Sequence, residues 1–329
     1  MADWHYQTSE RITAPLAAEI VNQQPSYSVD KKEIQKTKKA SKSEKEAAHK
    51  STLNKLKSDA SPSLRRTIEL AGEKEASSWL TVLPIQNHGF HLPKCEFRDA
   101  ICLRYGLSMK GVSSKCSCGS TFNVDHAMIC PKGGFPTIRH NEVRDITANL
   151  ISEVCSDVAI EPRLNSLSGE CLHNRTANRD EEARLDVSAR GVWRRGERAF
   201  FDIRVFYPNA QSYQEMILPQ IFRNHELEKQ RAYGERVREV EGSSFTPLVL
   251  SSTGGMGREA NTFYKRLASL ISDKQDTSYS QTMALIRCRL SFSLLRSAIL
   301  CVRGTRSSKR HPVHLDCVDS IVSEARLIV

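Results

Sequence analysis

The segment RLDVSARGVWRRGERAFFDIRV, residues 184–205, carries two aspartates inside apolar runs, with fifteen residues between them. Strand interiors disfavour Asp, so each placement needs a reason. RLDVSA and RAFFDIRVFY read as strands around the turn RGVWRRGE. Paired antiparallel and symmetrically about Arg194, they set Asp186 opposite Asp202 and Arg184 opposite Arg204. Leu185, Val187, Phe201 and Ile203 then face the core. The two Asp share the opposite face, with β-carbons about 5 Å apart. A slip of one residue destroys this pairing.

Carboxylates that close repel, and one takes up a proton unless a cation neutralises both. Mg²⁺ suits the pair, being hard, oxygen-seeking and content to keep several waters. Such an ion activates water and stabilises charge on a phosphate, so the chemistry implied is phosphodiester hydrolysis. The alternative is a surface charge network in which each Asp neutralises an Arg, with Arg184 and Arg204 alongside. Arg204 is always protonated and serves better as a phosphate clamp than as a base. Lys229 lies one turn before Tyr233 on the next expected helix, so the two share a face. If that helix packs beside the hairpin, Lys229 reaches the metal-bound water or the phosphate; otherwise it is solvated.

Around the hairpin the pattern is regular. NEVRDITANLISEV places Val143, Ile146, Leu150, Ile151 and Val154 on one helical stripe, and VAIEP is a short strand stopped by Pro162. Residues 165–182 read as loop. RNHELEKQRAYGERVREVE is a charged helix, FTPLVLSS a strand, GGMGREANTFYKRLASLI a turn into a helix, and a last helix runs from about Tyr279 to Val302. The order α-β-β-β-α-β predicts an α/β fold with a mixed sheet and flanking helices. STGGMGRE follows a strand and opens a helix like a phosphate cradle. It lacks the Gly-Lys-Ser/Thr ending, so a tight turn is the better reading.

The 329 residues carry a formal net charge of +10, with an estimated pI of 9.1. That balance favours a polyanionic partner, nucleic acid first and an anionic membrane surface second. Most of the excess sits between Lys31 and Lys57, where ten Lys face three Glu. This run is either a solvated helix or linker, or an arm that seeks phosphates. Residues 8–24 read as a short amphipathic helix, and a connector follows with a helix over about Lys94 to Tyr105. No stretch suits a membrane span, since the apolar SFSLLRSAILCV is short and carries Arg296. The first residues lack a secretory pattern, so the expected compartment is intracellular and reducing, where the ten Cys stay free.

CSCGSTFNVDHAMIC spaces Cys116, Cys118, His126 and Cys130 as C-x-C-x7-H-x3-C. Three thiolates and an imidazole match a closed, structural Zn²⁺ site in a loop too small to fold without a staple. Arg139, His140 and Asn141 follow. Asn141 reads as a helix cap, and Arg139 and His140 as phosphate contacts near the helix start.

Taken in order, these pieces resemble the restriction-like endonuclease region of non-LTR retrotransposon proteins, which follows the reverse transcriptase. That family carries a CCHC zinc knuckle, an Arg-His-Asn motif, an apolar EP strand, a PD strand, a second Asp, and a helix with Lys and Tyr four apart. Here the counterparts are Cys116, Cys118, His126 and Cys130; RHN at 139–141; EP at 161–162; RLDV at 184–187; FFDIRV at 200–205; and EKQRAY at 228–233. The match spans roughly residues 114–250. Leu185 stands where Pro is usual, the Asp spacing is slightly longer, and the His-to-Cys gap is short. No Tyr-x-Asp-Asp setting for a reverse transcriptase is present.

The resemblance implies a restriction-endonuclease-like αβββαβ core and a Mg²⁺-dependent DNA endonuclease with a structural Zn²⁺, acting in the nucleus. RNA stays open as a partner, and a noncatalytic nucleic-acid-binding remnant is the alternative. Asp186 and Asp202 match the metal-binding carboxylates, Lys229 the helix-borne lysine, and Glu161 a further acidic ligand. Arg139, His140, Arg204 and Tyr233 are the expected nucleic-acid contacts. The implied layout is a basic helical arm over 1–75, a connector over 76–113, the knuckle and RHN motif over 114–140, the nuclease domain over 141–305 and a tail over 306–329.

Overall fold

A computed structural model describes residues 31–74, 76–168, 170, 172, 183–304 and 306. The helix expected over 8–24, most of the 165–182 loop and nearly all of the tail lie outside the described residues. The chain divides into one unit ending at Ala60 and another beginning at Ser61.

In the first unit, α1 (Lys31–Asp59) is one helix of 29 residues. From Lys39 onward none of its side chains is buried. Lys and Glu dominate every face, and pairs such as Lys42–Glu46, at 3.8 Å and one turn apart, add little.

The second unit starts with α2 (Pro62–Ala71), where the Ser61 side chain accepts the Leu64 N–H and Pro62 needs no N–H of its own. Leu70 packs with Phe206, Ile221, Phe222 and Val249, so α2 belongs with the sheet and not with the basic arm. Next come α3 (Ser78–Thr81), α4 (Lys94–Tyr105), α5 (Val124–Ile129) and α6 (Phe135–Ser152). The α4 bounds are those the sequence predicts.

Four strands form a mixed open sheet in the order β1-β2-β3-β4: β1 (Ser156–Ile160), β2 (Val187–Arg190), β3 (Arg198–Phe206) and β4 (Ser244–Ser251). β1/β2 and β2/β3 are antiparallel, and β3/β4 is parallel. The pairs Val187↔Phe201, Ser188↔Phe200, Ala189↔Ala199 and Arg190↔Arg198 are symmetric about Arg194, as the hairpin reading requires. Gly191 (φ 98°) and Gly196 (φ 79°) supply the left-handed backbone that the turn needs. Between β3 and β4 the chain forms α7 (Leu218–Lys229), a π-turn over Gln230–Gly234, and α8 (Glu235–Glu239). The charged helix expected over 223–241 is thus present, continuous through a π-helical turn in its middle. After β4 come α9 (Arg258–Gln275) and α10 (Tyr279–Arg303). The fold is α/β.

Helices cover both faces of the sheet. Val187, Phe201, Ile203 and Leu248 pack on Val143 and Ile151 of α6, Phe263 and Leu267 of α9, and Leu290 of α10. On the other face Phe200 meets Val237 of α8, and Phe206 meets Ile221 and Phe222 of α7. One expectation fails here. Leu185 joins Phe200, Leu164 and Val237 and not the Val187 face. The chain bends at Asp186, between the Arg163↔Arg184 bridge and β2, so the alternation restarts there.

Inside the main core Tyr264, with no exposed surface, lies 2.8 Å from Thr147 Oγ1, which donates to the Val143 carbonyl at 2.7 Å. Tyr264→Phe is expected to lose about 1 kcal/mol, and Thr147→Val about 2 kcal/mol, because the second leaves a buried hydroxyl unpaired. Urea unfolding of the two variants measures the difference.

Candidate active site and metal centre

The hairpin register carries Asp186 to the end of β2 and Asp202 to the middle of β3. Asp202 is 5 % exposed. Its Oδ2 lies 2.7 Å from Lys229 Nζ on α7, and that ammonium is 5.6 Å from the Tyr233 ring centroid. Lys229 and Tyr233 do share a face, and the helix does pack beside the hairpin. Burial raises the Asp202 carboxyl above the ordinary carboxylate range; Lys229 opposes the shift and the nearby Asp186 charge adds to it.

Asp186 is half-buried and engaged on both oxygens. Oδ2 accepts the Ile203 N–H at 2.5 Å, finishing the β2/β3 ladder where the strand itself stops. Oδ1 lies 2.9 Å from His140 Nε2, whose ring N–H donates to it. His140 therefore stands in the acidic site as the partner of Asp186, a role the sequence reading did not foresee. The helix start expected at residues 139–141 is displaced as well: α6 begins at Phe135, which puts His140 and Asn141 inside the helix, with Gly134 at the cap position.

Glu161 is the outermost acidic group. Its N–H donates to the Asp186 carbonyl at 2.9 Å, while its carboxylate is exposed and paired with Arg144 and, at 4.0 Å, Arg184. Arg184 thus balances Glu161 and not an Asp of the hairpin. Arg204 is half-buried on β3, close enough to His225 to hold that imidazole's pKa down, second to its burial. Tyr233 is half-buried, its ring 6.0 Å from Phe245.

Arg139 departs from its expected role. It is 3 % exposed, its guanidinium reaching the Met128 carbonyl at 3.3 Å and Cys301 Sγ at 3.8 Å. It ties α5 to α10 through α6 and cannot touch a phosphate in solution. Burial lowers its pKa. Arg139→Ala is expected to cost about 2–3 kcal/mol of stability through lost packing and bonding. Nucleic-acid affinity per folded molecule should stay unchanged in a filter-binding titration.

Cys116, Cys118, His126 and Cys130 converge, with one ligand atom from each within 4.8 Å of the others. Cys116 and Cys130 sulfurs are 3.8 Å apart, and Cys118 Sγ is 3.3 Å from His126 Nε2. A Zn–S bond of about 2.3 Å gives a tetrahedral edge of about 3.8 Å, so the donor set and its spacing suit a metal ion. Local structure builds the cluster. The Lys115↔Thr121 bridge closes the Cys-x-Cys turn, and the Asn123 side chain caps α5 by accepting the His126 N–H at 2.8 Å. Ser120 lowers the Cys118 thiol to about 6, while burial raises that of Cys130.

Arg306 fastens this loop to the end of α10. Its guanidinium lies 4.9 Å from the Phe122 ring and 4.6 Å from the Phe135 ring, and it donates to the Ala127 carbonyl at 3.1 Å. Among the described residues this is the one set of three or more Cys, His, Asp or Glu placed to share an ion; the acidic pair with Glu161 or His140 does not form such a set.

The glycine-rich turn after β4 is no phosphate cradle. Ser251 and Thr253 hydroxyls each donate to Glu73 Oε2 at 3.3 Å, and Glu226 Oε1 accepts the Glu259 N–H at 3.0 Å. Any side chain at Gly255 would collide with the Glu73 carboxylate. No helix among the described residues is long and apolar enough to cross a membrane. Neither the protein-family models nor the curated proteins searched match this chain.

Proposed function

We propose that the protein is a divalent-metal-dependent DNA endonuclease with a restriction-like core, stapled by a structural Zn²⁺ on Cys116, Cys118, His126 and Cys130. One observation carries the reading: an ion pair of the buried Asp202 with the half-buried Lys229, beside a second carboxylate, Asp186, which lies just before β2 and accepts the Ile203 N–H next to Asp202. Burying a carboxylate on a strand against a half-buried ammonium from a helix is a poor way to gain stability, and such groups concentrate where chemistry needs them. Asp186 and Asp202 would hold a Mg²⁺, which when bound lowers the pKa of a water and polarises the phosphate. Carboxylate oxygens are the donors such an ion prefers.

The chain's own residues do the rest. Lys229 opposes the rise that burial imposes on the Asp202 carboxyl and presents N–H donors to an approaching phosphate. His140 orients Asp186 through its Oδ1. Arg204 lends fixed positive charge along the same strand. In this reading α1 holds the DNA backbone without regard to sequence. The nucleus is the proposed compartment, and RNA is the other substrate class to compare.

The test is nicking of supercoiled plasmid with and without Mg²⁺, for the wild type and Asp202→Asn. Metal-dependent nicking by the wild type alone supports the reading; equal nicking by both sinks it. A second reading has an observation of its own. Both Asp186 oxygens and one Asp202 oxygen already have protein partners, as expected of a noncatalytic nucleic-acid-binding relative. That reading predicts salt-dependent DNA retention and no nicking by either protein.

A further inference from the structure

The second unit holds a cavity of about 350 Å³ outside the carboxyl ends of β3 and β4, the end at which parallel strands receive ligands. Its wall is built by helices: Leu70 of α2, Trp79 of α3, Leu103 of α4, Met128 of α5 and Leu295 of α10. Packed interiors leave few gaps larger than a water molecule, and a large empty one lowers stability. An apolar cavity of about 150 Å³ is enough to take up benzene, so this one has room for about two or three rings.

A ligand can reach it from solvent. Ser63, Gly106, Leu107 and Asp125 of its lining are exposed, while Leu70, Trp79 and Met128 are buried. The lining thus runs from a partly polar mouth to an apolar interior.

The polar side chains of the lining are bonded within the protein. Thr67 Oγ1 donates to the Ser63 carbonyl at 3.1 Å, and Ser291 Oγ accepts the Trp79 N–H at 3.3 Å. The Tyr207 hydroxyl donates to Asp125 at 2.6 Å, and Thr253 Oγ1 to the Glu73 carboxylate at 3.3 Å. Arg104 is the one basic residue among the described residues of the lining. Its terminal nitrogens donate to the carbonyls of Ala71 and Ala76 and to Ser77 Oγ. What the cavity chiefly offers a ligand is therefore apolar surface. An anionic head group at the mouth would meet the exposed Asp125 with no lining cation free to balance it.

We propose that this cavity binds an uncharged, apolar molecule the size of about two or three rings. The site stands apart from the acidic pair and does not depend on cleavage. The test uses the zinc-loaded full chain and a matched pair of fluorescent probes. N-phenyl-1-naphthylamine is neutral; 8-anilino-1-naphthalenesulfonate is the same ring system with one negative charge. Saturable binding of the neutral probe at one site per chain is expected, with the anionic probe at least tenfold weaker. Ala298→Phe and Ala100→Leu fill the cavity from α10 and α4, and each should weaken the neutral probe at least tenfold. Leu83→Ser, which removes an apolar side chain 74 % exposed and outside the lining, should leave its affinity unchanged. Overpacking can unfold a variant, so the wild type supplies a second reading. The methyl resonance of Met128, a lining residue 2 % exposed, should shift on addition of the neutral probe. That of Met283, in the sheet's main core, should not. Equal or tighter binding of the anionic probe, many weak sites, unchanged affinity in a folded cavity variant, or an unmoved Met128 resonance would overturn the proposal.

Discussion

Lys229→Met is expected to destabilise the second unit by about 3–5 kcal/mol at pH 7, the usual penalty for removing one partner of a buried pair. Met keeps the length and most of the apolar stem of Lys, so the packing against Tyr233 largely survives. What changes is Asp202, left 5 % exposed with no counter-charge. Its folded pKa is already raised by burial, with Lys229 as the main opposing influence, so removing Lys229 raises it further. An unfolded Asp titrates near about 3.9. Below that value both states are protonated and the variant suffers little. As pH rises from there toward the folded pKa, the unfolded chain ionises while the native state keeps its proton, so stability falls, and it levels off once the folded pKa is passed. Urea midpoints of wild type and variant should therefore converge near pH 4 and separate toward pH 8. A deficit that stays the same across that range would show that packing, not charge, is lost. Lys229→Met/Asp202→Asn, which removes both charges, should recover most of the loss. Neither variant should nick DNA.

The parts of this site legible in the sequence are those that obey a local period. A two-residue alternation set the hairpin register, and the same alternation placed Asp202 on the face that α7 covers. A helical turn placed Lys229 beside Tyr233. The element order α-β-β-β-α-β followed from switches between those two periods. The failures arise where a partner is remote in sequence or the period breaks. Arg139 looks like a helix-start cation, yet its partner Cys301 lies 162 residues away, and only the docking of α10 reveals that it is buried. Leu185 changes face because the chain bends one residue later, and no alternation rule anticipates a bend. His140 reads as a phosphate contact near a helix start, yet α6 begins at Phe135 and the Asp that His140 orients is 46 residues on. The cavity behind β3 and β4 draws on segments from Ser63 to Ala298, which have no common pattern to read.

Removal of the metal from the four-ligand cluster is the other large effect expected, and it should be regional. Structural Zn²⁺ in small peptides contributes on the order of 10 kcal/mol, because no site exists in the unfolded chain. Here the loop over 116–130 holds few apolar anchors of its own: Ala127 and Met128 are buried, and Met128 packs with Phe135, Tyr207 and Cys301. The sheet does not share that dependence, since its core of Phe201, Ile203, Phe263 and Leu267 lies in another cluster. Strong chelator, or Cys116→Ser, is therefore expected to speed amide exchange over residues 116–130 by at least about a thousandfold, the limit set by losing several kcal/mol of local opening free energy. Amides of β3 should keep most of their protection. One zinc per chain by elemental analysis, released together with that regional change, is the expected result. Zinc-free protein with undisturbed exchange over 116–130 would mean that hydrogen bonds and the Arg306 clamp alone hold the loop, and that its thiols serve another purpose.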